Sequence, residues 1–581
     1  MNAIESASDP SSGLASLRDA ATRAPGDLAV RLALAEAELA AGDAVAAERH
    51  FAEAQRLAPN DPRALDGLAR AAATCGRADG EIWARRRLAE LRPDDPFVHA
   101  ELGDALRRDD RNDEASAALF LARARAPRDR QIRMLAWQTL PIVHPDLASC
   151  ARSRAGWARE LGAFEAELAE RPPSRDEAFA LLTSATNFHR HYLGEPLFDE
   201  QRRYGAMVRR LARIAFPELE APPRAQRGPR RRIGFVSAHF REHTVLKLFG
   251  RWITGLDATR FERMVFALDP RTDSWTERLR ASVEHFVPAP DDVAALPGQI
   301  RAAQLDVVVH LDIGMHPWSQ LLAALKFAPL QLATWGHPIT SGLDTIDRFV
   351  SGAAMEPPGA ASHYTEQLVV LPNLGIDYEP PESPSDYVAP LPDRSVTRYL
   401  FCPQSAHKLH PGHDAAFAQI LARCPGHALV LVPHPKAHVR DALARRLAKA
   451  FRAHGADPAR QLVVLPALPY RDFLSVARGA TLLLDSFDWS GGNTSLEALA
   501  FGTPLVTLPG DTMRSRHSAA ILRLLGLDEL VARDAGAYVA TAAAIAAEPD
   551  RRGALAAAIA GRSDTLYGDP SIVPAFEELV S

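Results

Sequence analysis

The sequence contains a glycine-rich segment, residues 485–497, whose residue types suit the binding of phosphate groups. Gly491 and Gly492 lie at its centre, and adjacent glycines let a backbone approach a ligand closely. A threonine and three leucines at 481–484 precede the segment and predict a buried strand. A turn at the end of such a strand can present free backbone amides to an anion. An ordinary capped helix after a glycine turn would show the same pattern.

The residues after these glycines predict a helix. Residues 493–495 are of types that cap helices, and the helical pattern runs through Gly502. The unpaired amides and the positive dipole end of this helix would suit a diphosphate. Glu497, in the first turn, could accept hydrogen bonds from a ribose. The segment lacks the Gly-Lys-Ser/Thr of a Walker loop and the GxGxxG fingerprint, which argues against phosphate hydrolysis and hydride transfer.

Two loop histidines are candidates for polar contacts with a substrate. His243 follows an apolar run at 233–237, and an imidazole with a pKa near neutrality can act as a base or as a polar positioner. His337 follows an apolar run at 331–335 and precedes a proline. The alternative for each is a structural histidine that is satisfied within its own loop or turn.

Other polar residues give weaker predictions. Asp312 follows an apolar run and is a weaker candidate for a polar contact with a ligand, whereas His189 and His191 are expected to pack between domains. His434 and His438 have the spacing of a metal site on a helix, but the neighbouring prolines argue against a helix and against a metal there.

From residue 232 onward, short apolar runs alternate with helical stretches, which indicates βαβ units and parallel sheets buried on both faces. The predicted strands are 233–237, 263–267, 306–311, 331–335, 367–371, 399–402, 428–432, 461–465, 481–484 and 504–508. This number of strands fits two sheets better than one. We therefore predict two Rossmann-like domains, 229–385 and 386–581, joined by a proline-rich linker at 380–392, with ligands at the carboxyl ends of the strands.

The first quarter of the chain carries a repeat of 34 residues. Its clearest markers are the turn prolines Pro25, Pro59, Pro93 and Pro127. Leucine, small-residue and turn positions recur in the same register, and each turn can end one helix and cap the next. The pattern resembles the tetratricopeptide repeat, a helix-turn-helix unit. We predict an α-solenoid at 1–140 whose groove binds a protein, followed by a helical connector at 141–228.

Composition narrows the class of protein. The 581 residues are 47% hydrophobic and carry a net charge of −5, which gives no electrostatic case for nucleic-acid binding. The basic stretch at 224–232 is interrupted by proline and is expected to be a linker. Four cysteines without CxxC spacing, no apolar stretch long enough to span a membrane and no apparent signal peptide predict a cytoplasmic location.

Four separated motifs, in order, resemble glycosyltransferase family 41, the O-linked N-acetylglucosamine transferases. They are Ile233–Ser237 with Phe240 and His243, Ala328–Pro338 with Ser341 and Gly342, Lys408, and Ser490–Glu497 followed by Gly502–Pro504 and Leu508–Gly510. The motifs extend over residues 230–530, and with the repeats the resemblance covers nearly the whole chain. It implies an α-solenoid followed by a GT-B type pair of Rossmann-like domains.

The resemblance also implies roles for individual residues. Lys408 would contact the diphosphate of a nucleotide sugar, and Glu497 would hold the ribose. His243 and His337 would lie beside the sugar in the cleft. The phosphate turn would consist of Gly491, Gly492, Asn493 and Thr494. A lysine and helix amides can stabilise a leaving diphosphate without a metal, so no metal or other cofactor is expected.

The chain departs from the animal members of the family at three positions. Those members have a histidine at the position of Gly492, and a lysine and a histidine at the positions of Tyr470 and Phe473. These changes leave the donor open between UDP-N-acetylglucosamine, the first choice, and UDP-glucose or another UDP-hexose. The high alanine and arginine content is typical of a high-GC bacterial source.

Three functions are consistent with these features. The favoured one is an inverting transfer of a sugar from a UDP-sugar to Ser or Thr of a protein guided by the repeats. The second is transfer to Asn side chains or to a cell-surface carbohydrate, with the repeats docking an assembly partner or another copy of the chain. The third is an inactive nucleotide-binding scaffold, but retention of Lys408, His243 and Glu497 argues against it.

Overall fold

The computed structural model describes residues 10–194, 197–220, 228–290, 292–382, 389, 391 and 396–581. The chain divides into two compact units, Met1–Pro141 and Ile142–Ser581. Parts of the two predicted linkers, at 224–232 and 380–392, lie outside the described residues.

The described part of the first unit is a series of helices, each packed on its neighbours in the chain. They are α1 (Pro10–Arg23), α2 (Leu28–Ala40), α3 (Ala44–Leu57), α4 (Pro62–Thr74), α5 (Ala78–Leu91), α6 (Pro96–Arg108), α7 (Asn112–Arg125) and α8 (Arg130–Gln138). Asp27, Asp61, Asp95 and Asp129 cap every second helix by accepting hydrogen bonds from amides of its first turn. The predicted repeat of helix pairs is confirmed.

The recurring small and turn residues of the first unit have steric reasons. Gly42 and Gly76 end helices with φ angles of 85° and 69°, and Asp110 keeps this left-handed conformation with a φ of 62° although it is not glycine. A Cβ atom on Gly103 would lie 2.5 Å from Cγ of Leu119 in the next helix. The recurring small and turn residues in the sequence therefore mark helix ends and sites of close helix packing.

The second unit begins with helices α9 (Leu147–Glu170), α10 (Arg175–Ser184) and α11 (Phe198–Ala215). A single 3₁₀ turn, Phe188–Tyr192, lies between α10 and α11. Two parallel sheets follow, each covered by helices.

The first sheet contains seven strands among the described residues, all parallel, in the order β3-β2-β1-β4-β5-β6-β7. The strands are β1 (Arg231–Ser237), β2 (Phe261–Ala267), β3 (His285–Val287), β4 (Val307–His310), β5 (Leu330–Thr334), β6 (Arg348–Gly352) and β7 (Gln367–Leu371). Its helices are α12 (Thr244–Thr254), α13 (Ser274–Ser282), α14 (Leu296–Ala302) and α15 (Pro317–Ala323). Every residue of β4 is buried, as expected for a strand covered on both faces.

The second sheet contains five described strands, also parallel, in the order β10-β9-β8-β11-β12. They are β8 (Tyr399–Cys402), β9 (Ala428–Leu431), β10 (Leu462–Val464), β11 (Leu482–Leu484) and β12 (Leu505–Val506). Its helices are α16 (Asp414–Arg423), α17 (Ala437–Ala453), α18 (Pro458–Gln461), α19 (Tyr470–Gly479), α20 (Asn493–Leu499), α21 (His517–Leu524), α22 (Ala535–Ala547) and α23 (Pro549–Arg562). The two sheets confirm the predicted α/β architecture, which follows the α-solenoid in the sequence.

The last helix, α24 (Ile572–Val580), packs on the first sheet's helix α12. Phe576 stacks on Trp252 with ring centroids 4.5 Å apart. The predicted second domain, 386–581, includes this helix, whose aromatic contact nevertheless joins it to the first sheet. The chain therefore returns to the first sheet at its end.

All ten predicted strands are present, with ends that differ by at most two residues. The sequence analysis missed β3 and β6. β3 has only three residues, and β6 begins with a half-exposed arginine, so neither forms a clear apolar run. No helix within the described ranges is both long and apolar enough to cross a membrane.

Candidate functional site

The predicted site residues lie in the second unit, where the loops after the strands of the two sheets meet. Lys247 of α12 and Glu497 of α20 join the two sheets with a distance of 2.8 Å between Nζ and Oε1. His337, after β5, lies 5.4 Å from Trp489, after β11, between ring centroids. The candidate site therefore lies between the two parallel sheets, where the sequence analysis expects a ligand to bind.

Asp485, at the end of β11, shapes the predicted phosphate turn. One carboxylate oxygen accepts the amide of Gly491 at 2.8 Å, and the other accepts the hydroxyls of Ser490 and Thr507, each at 2.7 Å. Burial raises the pKa of Asp485, against the lowering effect of these hydrogen bonds. The amide of Gly491, a residue of the predicted phosphate turn, is therefore already bound by Asp485.

The helix after the turn differs from the prediction in its cap and its length. Gly492 is the N-cap residue, no side chain caps α20, and the helix ends at Leu499 instead of Gly502. Asn493 does not cap the helix because its side-chain oxygen accepts the hydroxyl of Tyr378 at 2.8 Å. The first amides of α20 are thus without a side-chain cap.

Lys408 is connected to this turn by hydrogen bonds. Its ammonium donates to Oε1 of Gln404 at 3.1 Å, and the amide nitrogen of Gln404 lies 3.3 Å from the hydroxyl of Thr494. Burial lowers the pKa of Lys408 to about 8, although the nearby carboxylate of Asp485 opposes this shift. The side chain therefore remains a poorly hydrated cation at neutral pH, which suits a bound diphosphate.

Glu497 is buried and already has partners. The hydroxyl of Tyr470 donates to its Oε1 at 2.7 Å, and the ammonium of Lys247 lies 2.8 Å from the same oxygen. Lys247 also lies 3.5 Å above the Tyr470 ring. Oε2 has no hydrogen-bond partner within the ranges that the structure describes. A ribose could therefore bind Oε2, or replace one of the partners on Oε1.

His243 forms the N-cap of α12. Its Nδ1 accepts the amide of Val245 at 3.2 Å, and its ring stacks on His239 with centroids 4.0 Å apart. Burial, with nearby Arg241 and Lys247, lowers the pKa of His243 to about 4. The neutral ring must therefore carry its proton on Nε2. This tautomer makes His243 a hydrogen-bond donor and leaves no free lone pair to accept a proton.

His337 is the end of a hydrogen-bonded chain. The side-chain nitrogen of Gln201 donates to the carbonyl of Ser341 at 3.1 Å. The side-chain oxygen of Gln201 must therefore accept Nε2–H of His191, at 3.0 Å. Nδ1 of His191 must then accept Nε2–H of His337, at 2.7 Å. Nδ1 of His337 consequently carries a lone pair, and it has no hydrogen-bond partner in the described part of the chain.

The surroundings of His337 are aromatic. Its ring stacks on Phe188 with centroids 5.3 Å apart and lies 4.8 Å from that of His191. Burial, and then the nearby His191, Arg514 and His407, lower the pKa of His337 well below its usual value. His191 was expected only to pack between domains, but it holds the position and the tautomer of His337.

The remaining candidates hold local structure. Asp312 accepts the hydroxyl of Ser237 and the amide of Ala238, each at 2.9 Å, and thereby holds the loop after β1. Burial raises its pKa to about 6. His438 lies in α17 but His434 precedes that helix, so the two do not share a helical face. The described residues contain no cluster of three or more potential metal ligands.

Sequence reasoning missed the partners Gln404, Lys247 and Gln201, and it named Tyr470 and His191 without the contacts that they make. Two of them had a weak signal, since Gln404 precedes Lys408 by four residues and Lys247 follows His243 by four. The others come from distant parts of the chain. Their roles could not be read without the fold.

A family model described as Glycosyl transferase family 41 matches residues 207–375 and 386–566. A second model, Tetratricopeptide repeat, matches residues 6–79. The first model covers more than half of the chain.

Several plant proteins are similar in sequence. The tomato (Solanum lycopersicum) protein described as probable UDP-N-acetylglucosamine–peptide N-acetylglucosaminyltransferase SPINDLY is 28% identical over 325 residues, 54% of this chain and 34% of its own length. The Arabidopsis thaliana protein with the corresponding description and the name SEC is 26% identical over 371 residues, 60% of this chain and 37% of its own. The chain spans about a third of the length of such relatives.

One solved structure covers nearly the whole chain. It is a mutant of the O-GlcNAc transferase of Thermobaculum terrenum, with 25% identity, a TM-score of 0.68, and coverage of 97% of this chain and 96% of that one. Sequence motifs, fold and family model agree. The chain belongs to glycosyl transferase family 41.

Proposed function

We propose that this chain transfers N-acetylglucosamine from UDP-N-acetylglucosamine to a serine or threonine hydroxyl of a protein. The observation that carries the proposal is the buried Lys408 ammonium, connected through Gln404 to the glycine turn of a family 41 cleft. The names of the plant relatives and of the Thermobaculum enzyme support this donor and this class of acceptor.

The donor would lie along the loops of the second sheet. Lys408 and the first amides of α20 would meet the negative charge that develops on the diphosphate as its bond to the sugar breaks. Glu497 would hold the ribose through Oε2. Because these groups offer one full positive charge and several dipoles, we propose transfer without a metal or other cofactor.

The two histidines would have different roles beside the sugar. His243 would donate Nε2–H to a hydroxyl and so position it. His337 would offer its Nδ1 lone pair to the acceptor hydroxyl or to a polar hydrogen of the donor sugar. In an inverting transfer the acceptor oxygen bonds to the anomeric carbon as the bond to the diphosphate breaks, and the hydroxyl proton passes to a nearby base.

The repeats of the first unit would guide the acceptor protein, with self-association as the alternative use. We also propose a cytoplasmic location, supported by the free state of all four cysteines. A bacterial source is supported only by composition.

Mass spectrometry of the modified acceptor tests the function and the choice of donor. The purified chain is incubated with host proteins and either UDP-N-acetylglucosamine or UDP-glucose. We expect a gain of one N-acetylhexosamine on Ser or Thr with the first donor and little with the second. Modification of Asn, or preferential transfer of hexose, would contradict the proposal.

A further inference from the structure

His517, the first residue of α21, lies directly against the glycine turn. The side chain is 5% exposed. A Cβ atom on Gly492 would lie 3.2 Å from Nδ1 of His517, so the imidazole occupies space beside the turn that a side chain at position 492 would need. No feature of the sequence had marked His517 as a site residue.

The orientation of the ring assigns its proton. Nε2 of His517 lies 2.9 Å from the sulfur of Met513, and a thioether can only accept a hydrogen bond. Nε2 must therefore carry the proton, and Nδ1 carries a lone pair directed at the turn. Nδ1 has no hydrogen-bond partner among the residues described by the structure.

Burial and one nearby positive charge keep the imidazole neutral in the absence of a ligand. Burial, and then the ammonium of Lys408, lower the pKa of His517 to about 3. Three uncharged groups also contact the ring: Trp335, with its centroid at 5.1 Å, Met513, and the backbone of Gly492. Arg516, the residue before His517, donates its guanidinium N–H to the carbonyl of Gly510.

A neutral ring in this orientation is poorly suited to an anion. The lone pair of Nδ1 would face the oxygens of any phosphate placed beside Gly492 and would repel them. Protonation at Nδ1 would turn this repulsion into a charge-assisted hydrogen bond. Two negative charges of a diphosphate, close to the ring, would favour that protonated form.

We propose that His517 takes up a proton when the diphosphate of the donor binds and donates Nδ1–H to a phosphate oxygen beside Gly492. This inference rests on the proposed function, because it concerns the same donor site. Donor binding would then be coupled to pH through a residue outside the glycine turn. Between the pKa values of the free and the bound imidazole, affinity would fall as the pH rises.

Isothermal titration with UDP-N-acetylglucosamine between pH 6 and 7, in two buffers of different ionisation enthalpy, measures the proton uptake. The phosphates of this diester do not titrate in that range. Lys408 has a pKa of about 8 and is already charged, so it contributes little. We expect the wild-type chain to take up a substantial fraction of one proton for each donor bound.

The variants His517→Asn and His517→Gln should lose this proton uptake and bind the donor at least about tenfold more weakly, since a charge-assisted hydrogen bond is lost. The exposed His454, changed to Asn, is the matched control and should behave like the wild type. Thermal melting of each variant checks that it is folded.

Each outcome decides between the two proposals. Donor binding by the wild type without proton uptake between pH 6 and 7 would overturn the role of His517, and this result needs no variant. Unchanged uptake in a folded His517 variant would overturn it as well. Failure of the wild type to bind the donor at any pH would contradict the proposed function itself, and with it this inference.

Discussion

Lys408 is the residue on which the proposed donor site depends most. Its ammonium is buried, and its pKa is lowered to about 8 by that burial. A cation that has lost most of its water interacts more strongly with a phosphate than a surface lysine does. The side chain is held by Gln404, which also contacts Thr494 of the turn. The charge is therefore in place before a ligand arrives.

Donor binding should weaken as the pH rises through the pKa of Lys408. The charged form is complete below this pKa and is lost above it, so we expect the affinity for UDP-N-acetylglucosamine to fall roughly threefold to fourfold between pH 7 and 8.5. Calorimetry at several pH values measures this change. Lys408→Arg, whose guanidinium stays charged, should show a smaller fall if it binds, because only the contribution of His517 to the pH dependence remains. A wild-type affinity that rises over this range would contradict the account.

The sequence could indicate several candidate site residues but not their hydrogen-bond states. Lys408, Glu497 and the glycine turn are recognisable because their types suit a nucleotide sugar and because their order resembles a family. The tautomer of His337 depends on His191, 146 residues away in the chain. No local pattern encodes such a contact, and it appears only when the chain is folded.

The turn between β11 and α20 is shaped by one carboxylate. Asp485 accepts hydrogen bonds from residues on both sides of the turn and from Thr507 after β12. This geometry explains Gly491, because a Cβ atom there would collide with the side-chain amide of Gln404. Contacts from Asp485 and Gln404 thus fix the shape of the turn.

Asp485→Asn should destabilise the second unit. The asparagine nitrogen cannot accept a hydrogen bond, so at least one buried donor would lose its partner, at a cost of about 1–3 kcal/mol. Urea unfolding followed by circular dichroism measures the loss. The exposed Asp550→Asn variant, on α23, is the control and should be close to wild type. Equal stability of the two variants would show that Asp485 does not brace the turn.

Element positions could be predicted where the pattern is strong and uniform. The buried strands β4, β8 and β11 are short apolar runs between helices, which the sequence displays directly. The cap of α20 could not be predicted, because Asn493 binds Tyr378 from the segment that follows β7. The residue type of Asn493 predicted a helix cap, but its side chain forms a tertiary hydrogen bond with Tyr378 instead.

At the scale of the molecule, the two sheets of the second unit are joined by a polar contact at the donor site. Lys247 from the first sheet's helices meets Glu497 from those of the second, with Tyr470 beside them. A ribose at Glu497 would enter this same contact. Donor binding should therefore change the contact between the two sheets.

The second unit should lose stability in acid because it buries many neutral histidines. The pKa values of His191, His413 and His517 are lowered to about 3 and that of His243 to about 4, chiefly by burial. Unfolded histidines titrate near 6.5, so the unfolded chain gains protons first as the pH falls. We expect Tm to decrease steadily from pH 7 to pH 4.5 in calorimetric scans. A constant or increasing Tm would be inconsistent with neutral buried imidazoles.

Titration of the purified chain with UDP-N-acetylglucosamine, compared with Lys408→Ala and with the exposed Lys449→Ala as control, tests the central claim most directly. The account predicts micromolar binding by the wild type and the control. It predicts a loss of at least about a hundredfold in folded Lys408→Ala, because a buried charge-assisted contact to the diphosphate is removed. Undiminished binding by Lys408→Ala, or no binding by the wild type, would contradict the assignment of the donor site.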